Sequence, residues 1–149
     1  MKLPSGATGF DAAPGSGIAL SAFTAICHHA ARTVGGTVAA VVPAGVTPNF
    51  HTVEIIRHGA STAVLGHNSV SIIALAAPRP PDDATVTFID RPELAAAVRA
   101  ACDLPILTMQ QLNASISTAD LTALGANEHR QIRHWRPNTI GELLFNFWD

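Results

Sequence analysis

The spacing of apolar residues changes period along the chain, and each change marks an element. From Gly17 to Thr33 the apolar residues Leu20, Phe23, Cys27, Ala30 and Ala31, continued by Val34, fall on one helical face, with Ser21, Ala25, His28 and Arg32 opposite. Gly35-Gly36 stops that helix. The period then becomes that of strands. Thr37 to Val42 is β-rich and ends at Pro43, and His51 to His58 is the clearest strand, with Val53 and Ile55 on one face or the other and Glu54 and Arg57 among them. Gly59-Ala60 and Gly66-His67-Asn68 are turn signals, so Ser61 to Leu65 and Ser69 to Ala76 complete an antiparallel meander. After the proline-rich break Pro78–Asp83, the alternation of Ala84, Val86 and Phe88 predicts a further strand to Ile89.

Helical spacing returns in the second half. Asp90 is the expected cap of a helix opened by Pro92 and Glu93 and carrying Leu94, Ala97, Val98 and Ala101. Ile106-Leu107 reads as a brief edge strand, and Thr108 with Gln111 caps a short turn bearing Leu112. A helix is expected from Ser117–Asp120 through Leu121 and Leu124 to Gly125, and a second, capped by Asn127, through Ile132 and Trp135 to Pro137. Thr139 and Glu142 form a capping box before Ile140, Leu143, Leu144, Phe147 and Trp148, one face of a closing helix; Phe145 falls off that face. Residues 1–16, rich in Gly, Pro, Ser and Ala, read as an irregular, flexible lead-in. The expected fold is a single α+β domain over residues 1–149: an N-terminal helix, an antiparallel meander of about four to five strands, and helices packed on it.

Composition adds limits. A chain of 149 residues, 48% hydrophobic and 13% charged, can bury a core without metal or disulfides. Its net charge of -2 gives no global attraction to nucleic acid or anionic lipid. Cys27 and Cys102 form no Cys-x-x-Cys pair and read as buried thiols in a reducing compartment. Met1-Lys2 leads into Pro4 and Gly6 rather than an apolar run, and Ile18 to Cys27 is too short to span a membrane, so a cytoplasmic protein is expected.

Chemistry-bearing motifs are few. Arg57-His58-Gly59, at the end of a predicted strand, resembles the Arg-His-Gly signature of the histidine phosphatase family. The resemblance implies phosphoryl transfer, with His58 taking the phosphoryl group and Arg57 binding it. That chemistry needs a second histidine, a further arginine and an acid, for which His129 or His134, Arg130 and Glu128 are the nominees. The match covers three residues, and the signature lies far from the N-terminus, where that family normally has it. Cys27 and His28 are adjacent on a helix and point apart, so no Cys/His pair is formed there. His51, His58 and His67 have no metal-ligand spacing, although a hairpin would bring His58 and His67 together; no metal or cofactor is expected. Gly15-Ser16-Gly17 lacks the rest of a phosphate loop, and no Gly-x-Ser-x-Gly elbow exists.

Two readings concern the C-terminal third. Asp120–Gly125 followed by Ile132 and Trp135 resembles a helix-turn-helix, which would put Arg130, Arg133 and Arg136 on phosphates. The same segment suits protein binding better, because arginine and aromatic side chains together make interaction hot spots. The expected partner surface is Arg130, Arg133, His134, Trp135, Arg136 and Phe145. The function expected on these grounds is that of a small, non-enzymatic bacterial binding protein, an immunity protein or antitoxin that neutralises a toxin.

Overall fold

The computed structural model describes residues 1–13, 15–80 and 82–149. An α+β fold results: α1 (Leu20–Val34), four strands, and helices after them. The strands β1 (Thr37–Val42), β2 (Phe50–Arg57), β3 (Ala60–His67) and β4 (Ile73–Ala76) form one antiparallel sheet in the order β1-β2-β3-β4. The expected meander is therefore present, with the boundaries moved by a few residues.

Each face of the sheet carries its own core. Val53 and Ile55 of β2, Val64 of β3, and Ile73 and Leu75 of β4 point to one face. There they meet Phe23, Cys27, Ala30 and Ala31 of α1, and Leu94 and Val98 of α2 (Pro92–Ala101). Alternation sends Phe50, Ala63, Leu65, Ala74 and Ala76 to the other face. That face is covered by Leu3 and Ala7 from the N-terminal segment, Leu112 of α3 (Met109–Asn113), and Ile140, Leu143 and Leu144 of α5 (Ile140–Leu144).

The lead-in is irregular but not loose. Leu3 is 1% exposed, and Ala7 and Thr8 are fully buried. Their anchor is Glu128 of α4 (Ala126–Trp135), itself fully buried. Its carboxyl oxygens accept from the N–H groups of Gly6, Thr8 and Gly125 at 3.1 Å and from the Thr8 hydroxyl at 2.7 Å. Gly17 lies flush against the backbone of Asn68 and Ser69, leaving no room for a Cβ. The Ser16 hydroxyl donates to the Ser69 carbonyl at 2.6 Å. These contacts replace the expected flexible lead-in with a packed one.

Four other expectations need correction, each for a local reason. Ala84 to Ile89 forms only a single antiparallel bridge, Ala76 to Phe88. The prolines Pro78 and Pro80 carry no N–H with which to extend the ladder beyond Ala77. Ser117–Gly125 is not helical beyond a 3-10 turn at Ile116–Thr118. The Asp120 backbone is instead paired with the N-terminal segment, its N–H donating to the Met1 carbonyl and its carbonyl accepting from the Leu3 N–H. Asp90 does not cap α2; its Oδ1 accepts from the N–H of Met109, at the start of α3, at 3.0 Å. Asn127 lies inside α4, and Asp11 Oδ2 accepts from its N–H at 3.1 Å.

Two more departures involve buried polar side chains. β3 runs through the expected turn to His67 because the imidazole itself organises the turn that follows. Its Nδ1 accepts from the N–H groups of Ser69 and Val70 at 3.0 and 3.2 Å, so β4 begins only at Ile73. The closing helix stops at Leu144 rather than running to Trp148. Asn49 Nδ2 donates to the Leu144 carbonyl at 2.9 Å, and Asn146 Nδ2 donates to the Leu143 carbonyl at 2.8 Å. These amides take the last helical carbonyls. Among the described residues no helix is long and apolar enough to cross a membrane, and both cysteines are free thiols, Cys27 buried and Cys102 half-buried.

Candidate protein-binding surface

The candidate surface is built on the exposed side of α4. Glu128 fixes one side of that helix in the core, and Ile132 packs half-buried one turn later. Helical spacing then forces Arg130, Arg133 and His134 outward, and all three are exposed. Arg136 closes the helix in the left-handed region (φ 51°), its N–H donating to the Ile132 carbonyl at 2.9 Å. Pro137 is buried and prevents continuation.

Trp135 is the largest exposed side chain of this region, with 39% of its surface accessible. It is not loose. Its ring stacks parallel on Trp148 at 6.1 Å between centroids, His134 meets its edge at 5.1 Å, and its Nε1 donates to Gln131 Oε1 at 3.1 Å. An aromatic held at both ring and nitrogen loses little further freedom on binding. The stack lines a cleft of about 450 Å³ together with Val86, Phe88, Phe147 and Arg136. Phe147 in turn packs edge-on against Phe50 at 5.6 Å, and the Arg79 guanidinium lies 4.7 Å from the Phe147 ring centroid.

Phe145 does not belong to the exposed surface. It is 3% exposed, at the floor of the cleft, and packs against Phe50, His67 and Phe88 at 5.7 to 5.9 Å. It lies off the Ile140 face as expected, but α5 has already ended there and the turning chain points Phe145 into the core. Conversely, Phe147 and Trp148, expected on one face of the closing helix with Ile140 and Leu144, lie beyond the end of α5 as half-buried cleft residues. Trp135 and Trp148 lie on either side of Pro137, and no periodicity connects them.

Among the described residues Arg130, Arg133 and Arg136 form no ion pair, although Glu142 lines the same cleft as Arg136. Among the described residues the only ion pair joins Arg57 to Glu93, on α2. Arg130 Nη1 makes a long contact with Asn127 Oδ1 at 3.4 Å. The bidentate donor set of Arg133 and Arg136 therefore faces solvent beside an apolar cleft.

The Arg57-His58-Gly59 motif falls elsewhere. His58 (φ 51°) and Gly59 (φ 75°) are the two-residue turn between β2 and β3, closed by the Arg57–Ala60 pair. Positive φ at both central positions is the geometry of a tight hairpin. The cavity beside the turn, about 230 Å³, is lined by Arg57, His58, Arg91 and Glu93 but by none of His129, His134, Arg130 or Glu128. Glu128 is occupied in the core, so the structure does not bring the nominated acid to His58. His58 and His67 lie at opposite ends of β3, and among the described residues no cluster of His, Cys, Asp or Glu is suited to a metal. The helix-turn-helix likeness lacks its first helix, since Asp120–Gly125 is a turn. Comparisons with protein-family models, curated proteins and solved structures give no match to this chain.

Proposed function

We propose that this is a non-enzymatic protein-binding domain that receives an acidic, partly apolar segment of its partner at the C-terminal end of α4. The observation that carries the reading is Trp135. An ordered, 39% exposed tryptophan stands at the rim of an aromatic cleft, next to arginines that form no ion pair among the described residues. Aromatic and arginine anchors of this kind supply most of the energy of protein interfaces, and a bidentate arginine–carboxylate pair adds orientation. A stand-alone binder of this kind fits the role of an immunity protein or antitoxin in a bacterial cytoplasm, with a toxin as the partner. Free thiols such as Cys27 and Cys102 accord with that compartment.

The test is affinity capture from the native host with the wild-type chain beside Trp135→Ala and Arg133→Glu, followed by titration of the captured protein. Each substitution is expected to weaken binding by roughly 30-fold or more. The melting temperature should hold for Arg133→Glu, because Arg133 is exposed, and fall only slightly for Trp135→Ala, whose stack on Trp148 and bond to Gln131 lie at the surface. A partner bound equally by all three proteins, or variants that unfold, would sink the reading.

A further inference from the structure

The sheet has one covered edge and one open edge. Along β4, the Ile73 N–H donates to the Pro105 carbonyl, the Leu107 N–H to the Ile73 carbonyl, and the Ile89 N–H to the Leu75 carbonyl. Beyond the ladder with β2, no backbone hydrogen bond among the described residues involves Thr37–Val42. Every side chain of β1 except Val38 is exposed, with Val41 at 40% and Val42 at 53%. No charged residue occurs between Arg32 and Glu54. Edge strands are ordinarily guarded by lysines, inward charges, prolines or bulges, because their free N–H and C=O groups are a template for another strand. Here the guards are a bulge at Ala39 and Pro43, which together leave Ala40–Val42 regular and open.

We propose that Ala40–Val42 of β1 pairs antiparallel with the same residues of a second copy across a two-fold axis, joining the two four-stranded sheets. Antiparallel pairing makes such an edge its own complement: each N–H that one copy presents meets the carbonyl of its symmetry mate. Electrostatics favour a second copy over the acidic partner inferred for α4. An uncharged strand sets no like charges against each other when it meets itself, and it offers an acidic segment no counter-charge. About a two-fold axis through Val41, each Val41 would be covered by its own counterpart and each Val42 by the Ala40 of the other copy, on opposite faces of the joined sheet.

The experiment is sedimentation equilibrium of the intact protein from about 1 µM to about 1 mM, a range spanning weak dimers. The wild-type mass is expected to rise from one chain towards two. Val41→Lys and Val42→Lys, which place like charges at the junction, are expected to raise the dissociation constant at least tenfold with unchanged melting temperature. Trp135→Ala, on a different surface, should leave the association as it is. Amide exchange at Ala40–Val42 that slows as protein concentration rises would locate the contact independently of any variant. The proposal is overturned by a wild-type mass of one chain throughout, by dimers that persist in both lysine variants, or by dimers that Trp135→Ala abolishes.

Discussion

The two faces of the sheet are covered by different physics. On one, α1 and α2 lay apolar stripes across Val53, Ile55, Val64 and Leu75, and the contact is dry but for His51, whose ring lies 6.1 Å from that of Phe23, and Thr62. On the other, the N-terminal segment and the chain beyond α4 meet over Phe50 and Leu65 through buried polar groups as well as apolar ones: Thr8, Asn49, His67, Glu128 and Asn146. The Thr8 carbonyl alone accepts from Asn146 Nδ2 at 3.0 Å and from Asn49 Nδ2 at 3.4 Å. A dry contact tolerates gradual change, because each methylene removed costs a limited amount. A polar network does not, because losing one member leaves the others buried without partners.

The largest expected effect is therefore on the polar side. Glu128→Ala removes the acceptor for three N–H groups and one hydroxyl in a fully buried place. The expected loss is roughly 3–5 kcal/mol by chemical denaturation, with amide exchange at Gly6 and Thr8 rising more than at Val53 or Val64. Equal deprotection on both faces would show that the two layers are not separable in this way.

His67 sharpens the comparison by pH. Its ring is fully buried, and burial pushes its pKa down from 6.5 to about 4, partly opposed by its bond to the Ala7 carbonyl and by the charge of Glu128. The geometry agrees. Nδ1 is already an acceptor for two N–H groups, so the one ring proton sits on Nε2 and points at Ala7 O, 2.8 Å away. Between pH 6.5 and about 4 the unfolded chain binds the extra proton and the folded chain does not. The histidine's contribution is thus complete above pH 6.5 and is lost as pH falls towards 4, by roughly 3 kcal/mol in all. The check is unfolding free energy against pH for wild type and His67→Gln. The variant should start less stable, and its curve should be flatter between pH 6.5 and 5. Parallel curves would remove His67 as the source.

The difference between the faces also explains what could be read in advance. The dry layer was legible: Phe23, Cys27 and Ala30 repeat at helical spacing, and Val53 and Ile55 alternate with polar residues, so their periods alone placed them. The polar layer was not, because no local pattern marks a partner far along the chain. Glu128 lies on a polar stretch and is separated from Gly6 by 122 positions, and Asn146 from Asn49 by 97. Sequence alone nominates Glu128 as an acid and makes the N-terminal segment a flexible lead-in, and a single long-range contact corrects both. The candidate surface divides in the same way. Arg130, Arg133, His134, Trp135 and Arg136 follow from the exposed side and end of a helix, whereas Phe147 and Trp148 reach the cleft only because Asn49 and Asn146 stop α5 early.

On the dry face the test is one of shape. Gly66 of β3 lies beneath Phe23 of α1, and a Cβ at position 66 would come within 2.7 to 3.0 Å of three atoms of that ring. Phe23 is fully buried and cannot swing aside without moving α1. Gly66→Ala should therefore cost about 1–3 kcal/mol through overpacking, although alanine is otherwise acceptable in a strand. Phe23→Leu alone opens space and should also destabilise. Placed together, the two changes are complementary, so the double variant should be more stable than the sum of the single losses implies. Chemical denaturation of the four proteins measures the coupling directly. Strict additivity would mean that the strain of Gly66→Ala is relieved elsewhere and that the fit between α1 and β3 is not what requires a glycine there.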